Sequence, residues 1–195
     1  MTFDPTAQYA LAYALATTAG LRGFLTLLAA SIAVHLHWIH PSAAFAWLGT
    51  DQATLVLALF AAFEIAADKF PIVDHAMQAV YFVVRPVAAA VVVGATVHPP
   101  DQAELYAMMA AGGLNALVVH GSSSTARAAS TAATAGLGNA LLSLLEDGVS
   151  AAGIVLAFAK PFAAAIAALV LVACIVIAAR FAVARVRALA PRRDR

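Results

Sequence analysis

Long apolar runs alternate with short polar breaks along the whole chain, and the runs have the length of membrane helices. A helix needs about 20 predominantly apolar residues to cross a bilayer. Six such segments are predicted, at 8–34, 52–69, 72–97, 102–121, 139–159 and 161–187. Prolines punctuate them at positions 41, 71, 86, 99, 100 and 161. Pro71 and Pro161 are expected to separate neighbouring helices after very short turns. Pro86 falls mid-segment and is expected to kink or break its helix, because it has no N–H and clashes one turn back. Gly136 and Gly138 break the stretch "GSSSTARAASTAATAGLG" at 121–138. That stretch is rich in small and hydroxyl residues. It reads either as a cytoplasmic loop or as a re-entrant half-helix packed within the protein.

Polar residues inside the apolar runs are not scattered. Glu64 and Asp68 are four apart and share a helix face. Asp74, Gln78, Tyr81 and Arg85 follow at i, i+4, i+7 and i+11, one narrow stripe. Asn139, Ser143, Glu146, Ser150 and Gly153 form another, with Lys160 on the same face, and Thr18, Arg22 and Thr26 form a shorter one. Four polar stripes on apolar helices imply a shared polar interior. Away from the termini and outer connections, five acids (Glu64, Asp68, Asp74, Glu146, Asp147) face five bases (Arg22, Lys69, Arg85, Arg127, Lys160). An isolated charge at mid-bilayer costs about 2.5–3.5 kcal/mol on insertion scales, so these groups are expected to turn inward and pair.

Composition agrees with the pattern. The chain has 195 residues, 64% of them hydrophobic and 11% charged, too apolar for a soluble domain with a polar surface to cover. The expected fold is all-α: a polytopic transmembrane bundle of about six spans, one membrane domain over 1–195 with a basic tail at 188–195. A net charge of +1 carries no nucleic-acid footprint. The arginines at 180, 185, 187, 192, 193 and 195 mark the C-terminal end as cytoplasmic, and six spans then place the N-terminus inside too. The N-terminal stretch "MTFDPTAQYA" lacks the basic start of a signal peptide, so the first helix is read as retained. The expected location is the inner (plasma) membrane. Cys174, the only cysteine, has no internal disulfide partner and suits an apolar surface or core position.

Two echoes occur in the same order. "AGLRGFLTLLAAS" at 19–31 resembles "GGLNALVVHGSSS" at 112–124, and "RPVAAAVVVGA" at 85–95 resembles "KPFAAAIAALV" at 160–170. Halves at about 8–98 and 101–187 with three spans each would be inverted relative to one another. Inverted repeats with broken helices near the midplane are a transporter architecture.

Two function classes fit this arrangement. In the first, a small ion, proton or solute crosses through the polar interior. Glu64, Asp68, Asp74, Glu146 and Asp147 bind the cation or proton, Arg22, Lys69, Arg85, Arg127 and Lys160 act as countercharges or gates, and Gln78, Tyr81, Asn139 and Ser143 supply neutral ligands. In the second, the charges only hold helices in register, as buried ion pairs can. Catalysis is not expected: no His-Glu-x-x-His, Gly-x-Ser-x-Gly or phosphate loop is present. His35, His37 and His40 beside Trp38 and Trp47 read as membrane-boundary residues rather than metal ligands. No cofactor is expected; a homodimer is compatible with the small-residue faces.

The segments "AGLRGFL" (19–25), "EIAADKFPIVDH" (64–75), "RP" (85–86) and "GLGNALLSLLED" (136–147) resemble those of the bacterial membrane family known as domain of unknown function 4126, over most of the chain. Ala140 stands where family members often carry a proline after the Asn, which removes a reason for a helix break there. The resemblance implies a small multi-pass membrane protein and supplies no substrate. "EIAADK" is also loosely similar to the Glu-x-Gly-Asp-Lys signature of a cation-exchanger family whose acids bind calcium or manganese. Here the acids are four apart rather than three, and no Ser or Thr follows the Lys.

Overall fold

The structure is a computed structural model that describes residues 3–68, 70–134 and 137–189. Among these residues it is all helix, with no strand. In chain order the elements are α1 (Pro5–Ala19), α2 (Gly23–His35), a short 3₁₀ helix (Ala43–Gly49), α3 (Asp51–Ala67), α4 (Pro71–Thr96), α5 (Gln102–Thr134), α6 (Leu137–Ala159) and α7 (Pro161–Leu189).

Local chemistry sets several of these ends. Asp4 caps α1, its carboxylate accepting the Ala7 N–H at 2.9 Å, and Pro5 fills the first helical position. The Thr6 hydroxyl and that N–H hold the Asp4 carboxyl below its usual pKa. Thr50 caps α3 in the same way through the Ala53 N–H. Pro71 and Pro161 open α4 and α7. The end of α2 closes on His37, which takes a positive φ of 56°. Its N–H reaches the Val34 carbonyl, and the Trp38 N–H reaches that of Ala33. This pair of bonds is a Schellman closure with histidine in the place glycine usually takes.

Helix α1 is the axis of the bundle. Leu11, Ala12, Ala14, Leu15, Ala16 and Ala19 are all buried, and α4, α5, α6 and α7 pack around it. Its alanines and Gly20 permit that closeness. A Cβ built on Gly20 would lie 2.7 Å from Val119 Cβ and 2.9 Å from Ala116 Cα, so α1 ends in direct contact with α5. Helices α2 and α3 pair with one another, and α2 also packs on α4. The outward faces carry Leu55, Leu59, Phe60, Phe63, Leu141, Leu145, Ile166 and Leu169, a surface suited to lipid.

Three helical stretches are long and apolar enough to cross a membrane: Ala76–Thr96, Leu137–Ala159 and Pro161–Phe181. The 3₁₀ helix and α3 together make a fourth candidate, bent by 69°. The six apolar segments thus yield fewer uninterrupted spans, for two physical reasons. The first segment is split at Gly20–Arg22 into helices of 15 and 13 residues, each too short alone. The fourth continues as helix through 121–134, where serines, threonines and Arg127 dilute its apolar character.

That continuation corrects both expectations for 121–138. It is neither a loop nor a separate half-helix but the second half of the 33-residue α5 as far as Thr134. Five alanines are interspersed there with seven serines and threonines, and the hydroxyls of Thr125, Thr131 and Thr134 bond carbonyls four residues back. Helix α4 likewise runs through Pro86 without interruption. Gly138 lies inside the first turn of α6, and Gly136 lies outside the described residues.

Candidate functional site

The break between α1 and α2 organises the interior. Arg22 has extended backbone (φ −140°, ψ 92°), so the helix stops after Ala19 and restarts at Gly23. Restarting a helix deep in a protein exposes N–H groups that need acceptors. The Glu64 carboxylate of α3 provides them: Oε1 accepts from the Gly23 N–H and Oε2 from the Phe24 N–H, each at 3.0 Å. A carboxylate at this position also meets the positive end of the α2 dipole.

The Arg22 side chain, fully buried, points the other way into a knot of acids. Its Nη1 donates to Asp68, and its Nε donates to Asp147 Oδ1 at 2.7 Å. Its Nη2 donates to the Ser143 hydroxyl at 3.1 Å and its carbonyl at 3.3 Å, with Glu146 Oε2 3.9 Å away. Arg127 of α5 closes the knot from the far side. It pairs with Glu146 and reaches Asp68 Oδ2 at 3.1 Å, while the Ser123 hydroxyl donates to Glu146. Two planar guanidinium forks thus alternate with three carboxylates contributed by two further helices, the geometry in which arginine outperforms lysine.

Arg85, on α4, forms a second and looser centre. It is 1% exposed. Its Nη1 donates to His120 Nδ1 at 2.8 Å and to the Gly20 carbonyl at 3.3 Å. Because guanidinium can only donate, His120 accepts at Nδ1 and carries its proton on Nε2, which faces the Gln78 carbonyl at 3.4 Å. The Arg85 guanidinium lies over the Tyr81 ring, 4.5 Å from its centroid. Its Nε stands 3.6 Å from Glu64 Oε1, an ion-pair distance but not a hydrogen bond. Arg85 Nε and Nη2, the Tyr81 hydroxyl and Asp68 Oδ1 are all buried without a hydrogen-bond partner.

The structure therefore brings Glu64, Asp68, Glu146 and Asp147 together with Arg22, Arg85 and Arg127. These seven charges come from α3, α4, α5, α6 and the α1–α2 break. Ser143 and Tyr81 lie among them. Gln78 sits one turn along α4, its side-chain carbonyl accepting from Ser124 at 2.8 Å. Two candidates stand apart. Lys160 is exposed at the α6–α7 junction, and Asn139 ties the start of α6 to Thr131 of α5 at 2.7 Å. Lys69 lies outside the described residues, as does the side chain of Asp74.

Neither Ser123 nor His120 stands out in the sequence. His120, Ser123 and Arg127 are spaced three and four apart on α5, so the stripe is visible once 121–134 is read as helix. The trans-acting N–H groups of Gly23 and Phe24 carry no side-chain signal at all. The outer histidines do not converge: His35 faces Ser31 and Asp51, while His40 and His98 line a separate rim cavity with Phe3 and Trp38. Among the described residues, no three or more His, Cys, Asp or Glu side chains are grouped so as to hold a metal. The acids that resemble a cation-exchanger signature are taken up instead by arginines and by the α2 N-terminus.

The echoing segments are in contact. Asn115, which the alignment sets opposite Arg22, donates to Thr17 Oγ1 at 2.8 Å, beside the Gly20–Ala116 crossing. The second echo does not occupy matching places: Arg85–Pro86 is mid-helix in α4, whereas Lys160–Pro161 is the hinge between α6 and α7.

No curated protein and no solved structure matches the chain. The model of one family, the domain of unknown function DUF4126, matches residues 9–181. A membrane-like all-helical bundle, closed around buried arginine–carboxylate pairs at a broken helix, is thus the form taken here by a member of the DUF4126 family, to which this chain belongs.

Proposed function

We propose that this protein is a small permease, not an enzyme, that moves a small ion or solute through the polar interior at the α1–α2 break. The observation that carries this reading is the mismatch around Arg85. Closing a bundle calls for satisfied hydrogen bonds, yet Arg85 Nε and Nη2, Tyr81 Oη and Asp68 Oδ1 are buried without a hydrogen-bond partner. They adjoin a helix interrupted within the bundle, and discontinuous helices are how membrane transporters present backbone groups to a solute. In this reading α1 and α2 form one broken crossing, and α3 to α7 supply five more. The chain lies in the inner membrane with both termini cytoplasmic, its halves related as an inverted three-plus-three repeat; the close approach of Gly20 and Ala116, from the first pair of echoing segments, supports that relation.

Proteoliposome flux over a panel of small anions, small cations and protons tests this. The expected result is flux above empty liposomes that Glu64→Gln changes at least severalfold while the protein stays folded. Wild-type protein that passes none of them, or a variant whose fluxes equal wild type, ends the permease reading.

A second reading has its own support. Arg22 is saturated by Asp68, Asp147 and Ser143, as a purely structural clasp would be. A scaffold of this kind predicts that exchanging the Arg127–Glu146 pair, as Arg127→Glu with Glu146→Arg, restores folding and phenotype together.

A further inference from the structure

The α2 N-terminus and Arg85 are built like a receptor for a small anion, and the group they hold is a side chain from another helix. Glu64 belongs to α3, so its carboxylate is not a local cap. It reaches across to the Gly23 and Phe24 N–H groups, one oxygen to each at 3.0 Å. This is how a helix N-terminus grips a free carboxylate. Its relation to arginine differs from that of the other acids. Asp68, Glu146 and Asp147 each accept a guanidinium hydrogen bond, whereas Arg85 Nε stops 3.6 Å short of Glu64.

Arg85 supplies the independent sign of a ligand. It is 1% exposed, its Nε and Nη2 have no hydrogen-bond partner, and that Nε faces the oxygen held at the helix end. A Cβ built on Gly23 would lie 3.4 Å from Arg85 Cγ, so the α2 terminus and the arginine stem are in contact. Two backbone N–H groups and a planar guanidinium with donors to spare match a planar anion with two oxygens on one carbon. Every unmet donor here favours an anion over a cation.

We propose that this is a binding site for a small carboxylate, of formate or acetate size, that Glu64 occupies as a tethered stand-in until a free carboxylate displaces it. The proposal rests on the permease reading for its purpose, as the position where the transported solute is held. Its test is equilibrium binding, so it can fail while flux persists, or hold while flux is absent.

The experiment is thermal unfolding of the purified full chain in detergent, with sodium acetate compared against sodium chloride at equal ionic strength. Glu64→Ala vacates the carboxylate position. Acetate is expected to raise its Tm saturably, by roughly 5–10 °C at a hundredfold excess over the dissociation constant. Wild type, whose own carboxylate competes, should shift much less. Adding Arg85→Met to Glu64→Ala should abolish the shift. Should Glu64→Ala not survive purification, Glu64→Gln decides by the same comparison, with a smaller shift that still exceeds that of wild type. The proposal is overturned if acetate acts on the variant no more than chloride does, if variant and wild type shift equally, or if the shift survives loss of Arg85.

Discussion

Arg22 and Arg85 are both fully enclosed arginines on the same interior, yet their surroundings differ in kind. Arg22 spends its donors on Asp68, Asp147 and Ser143, with Glu146 beyond. Arg85 engages a neutral histidine, one carbonyl and an aromatic face, and leaves Nε and Nη2 unmet. A buried charge with every partner in place fixes helix register. A buried charge without them costs stability unless something else is gained. On the permease reading, that contrast sets a structural clasp against a site for the solute.

The largest effect should come from breaking the clasp. Arg22→Met removes the guanidinium that Asp68 and Asp147 share and should destabilise by about 3–5 kcal/mol, read as a sharp fall in Tm or failure to purify. Asp68→Asn is expected to cost less, about 1.5–3 kcal/mol, because Arg22 and Arg127 each keep another acid. Gly20→Ala probes the crossing beneath the clasp. Its new Cβ would meet Val119 and Ala116, an overpacking of about 1–3 kcal/mol. Arg85→Met should lower stability by no more than about 1 kcal/mol, since it also removes the cost of unmet buried donors. If its Tm falls as far as that of Arg22→Met, the two arginines are not different in kind. Leu59→Ala on the exposed face of α3 should stay within about 0.5 kcal/mol and sets the baseline.

Much of this interior was legible in the sequence because membrane helices carry so few charges that each one is informative. The spacing of Glu64 with Asp68 and of Tyr81 with Arg85, and the Glu146–Asp147 pair, placed the right residues on inward faces. Which acid meets which base was not legible, since that depends on how helices distant in sequence pack. The run 121–134 was obscured by composition: serine, threonine and alanine suit a loop or a tightly packed helix equally, and only the neighbours of α5 decide between them. Lys160 shares the α6 stripe by spacing, but its place at the hinge before Pro161 leaves it in the open. The most telling contact, Glu64 on the Gly23 and Phe24 N–H groups, lies beyond any side-chain pattern. The backbone donates there, and "GLRGF" does not announce that a helix stops.

On the permease reading, the Arg85 side of the interior handles a solute while the Arg22 side holds the bundle together. Flux of small carboxylates in proteoliposomes, compared between wild type and Arg85→Met after both are shown to be folded, tests it most directly. The account predicts flux in wild type and loss of at least about tenfold in Arg85→Met, corresponding to about 1.4 kcal/mol, with Tm nearly unchanged. Equal flux in the two proteins, or none in either, would contradict it.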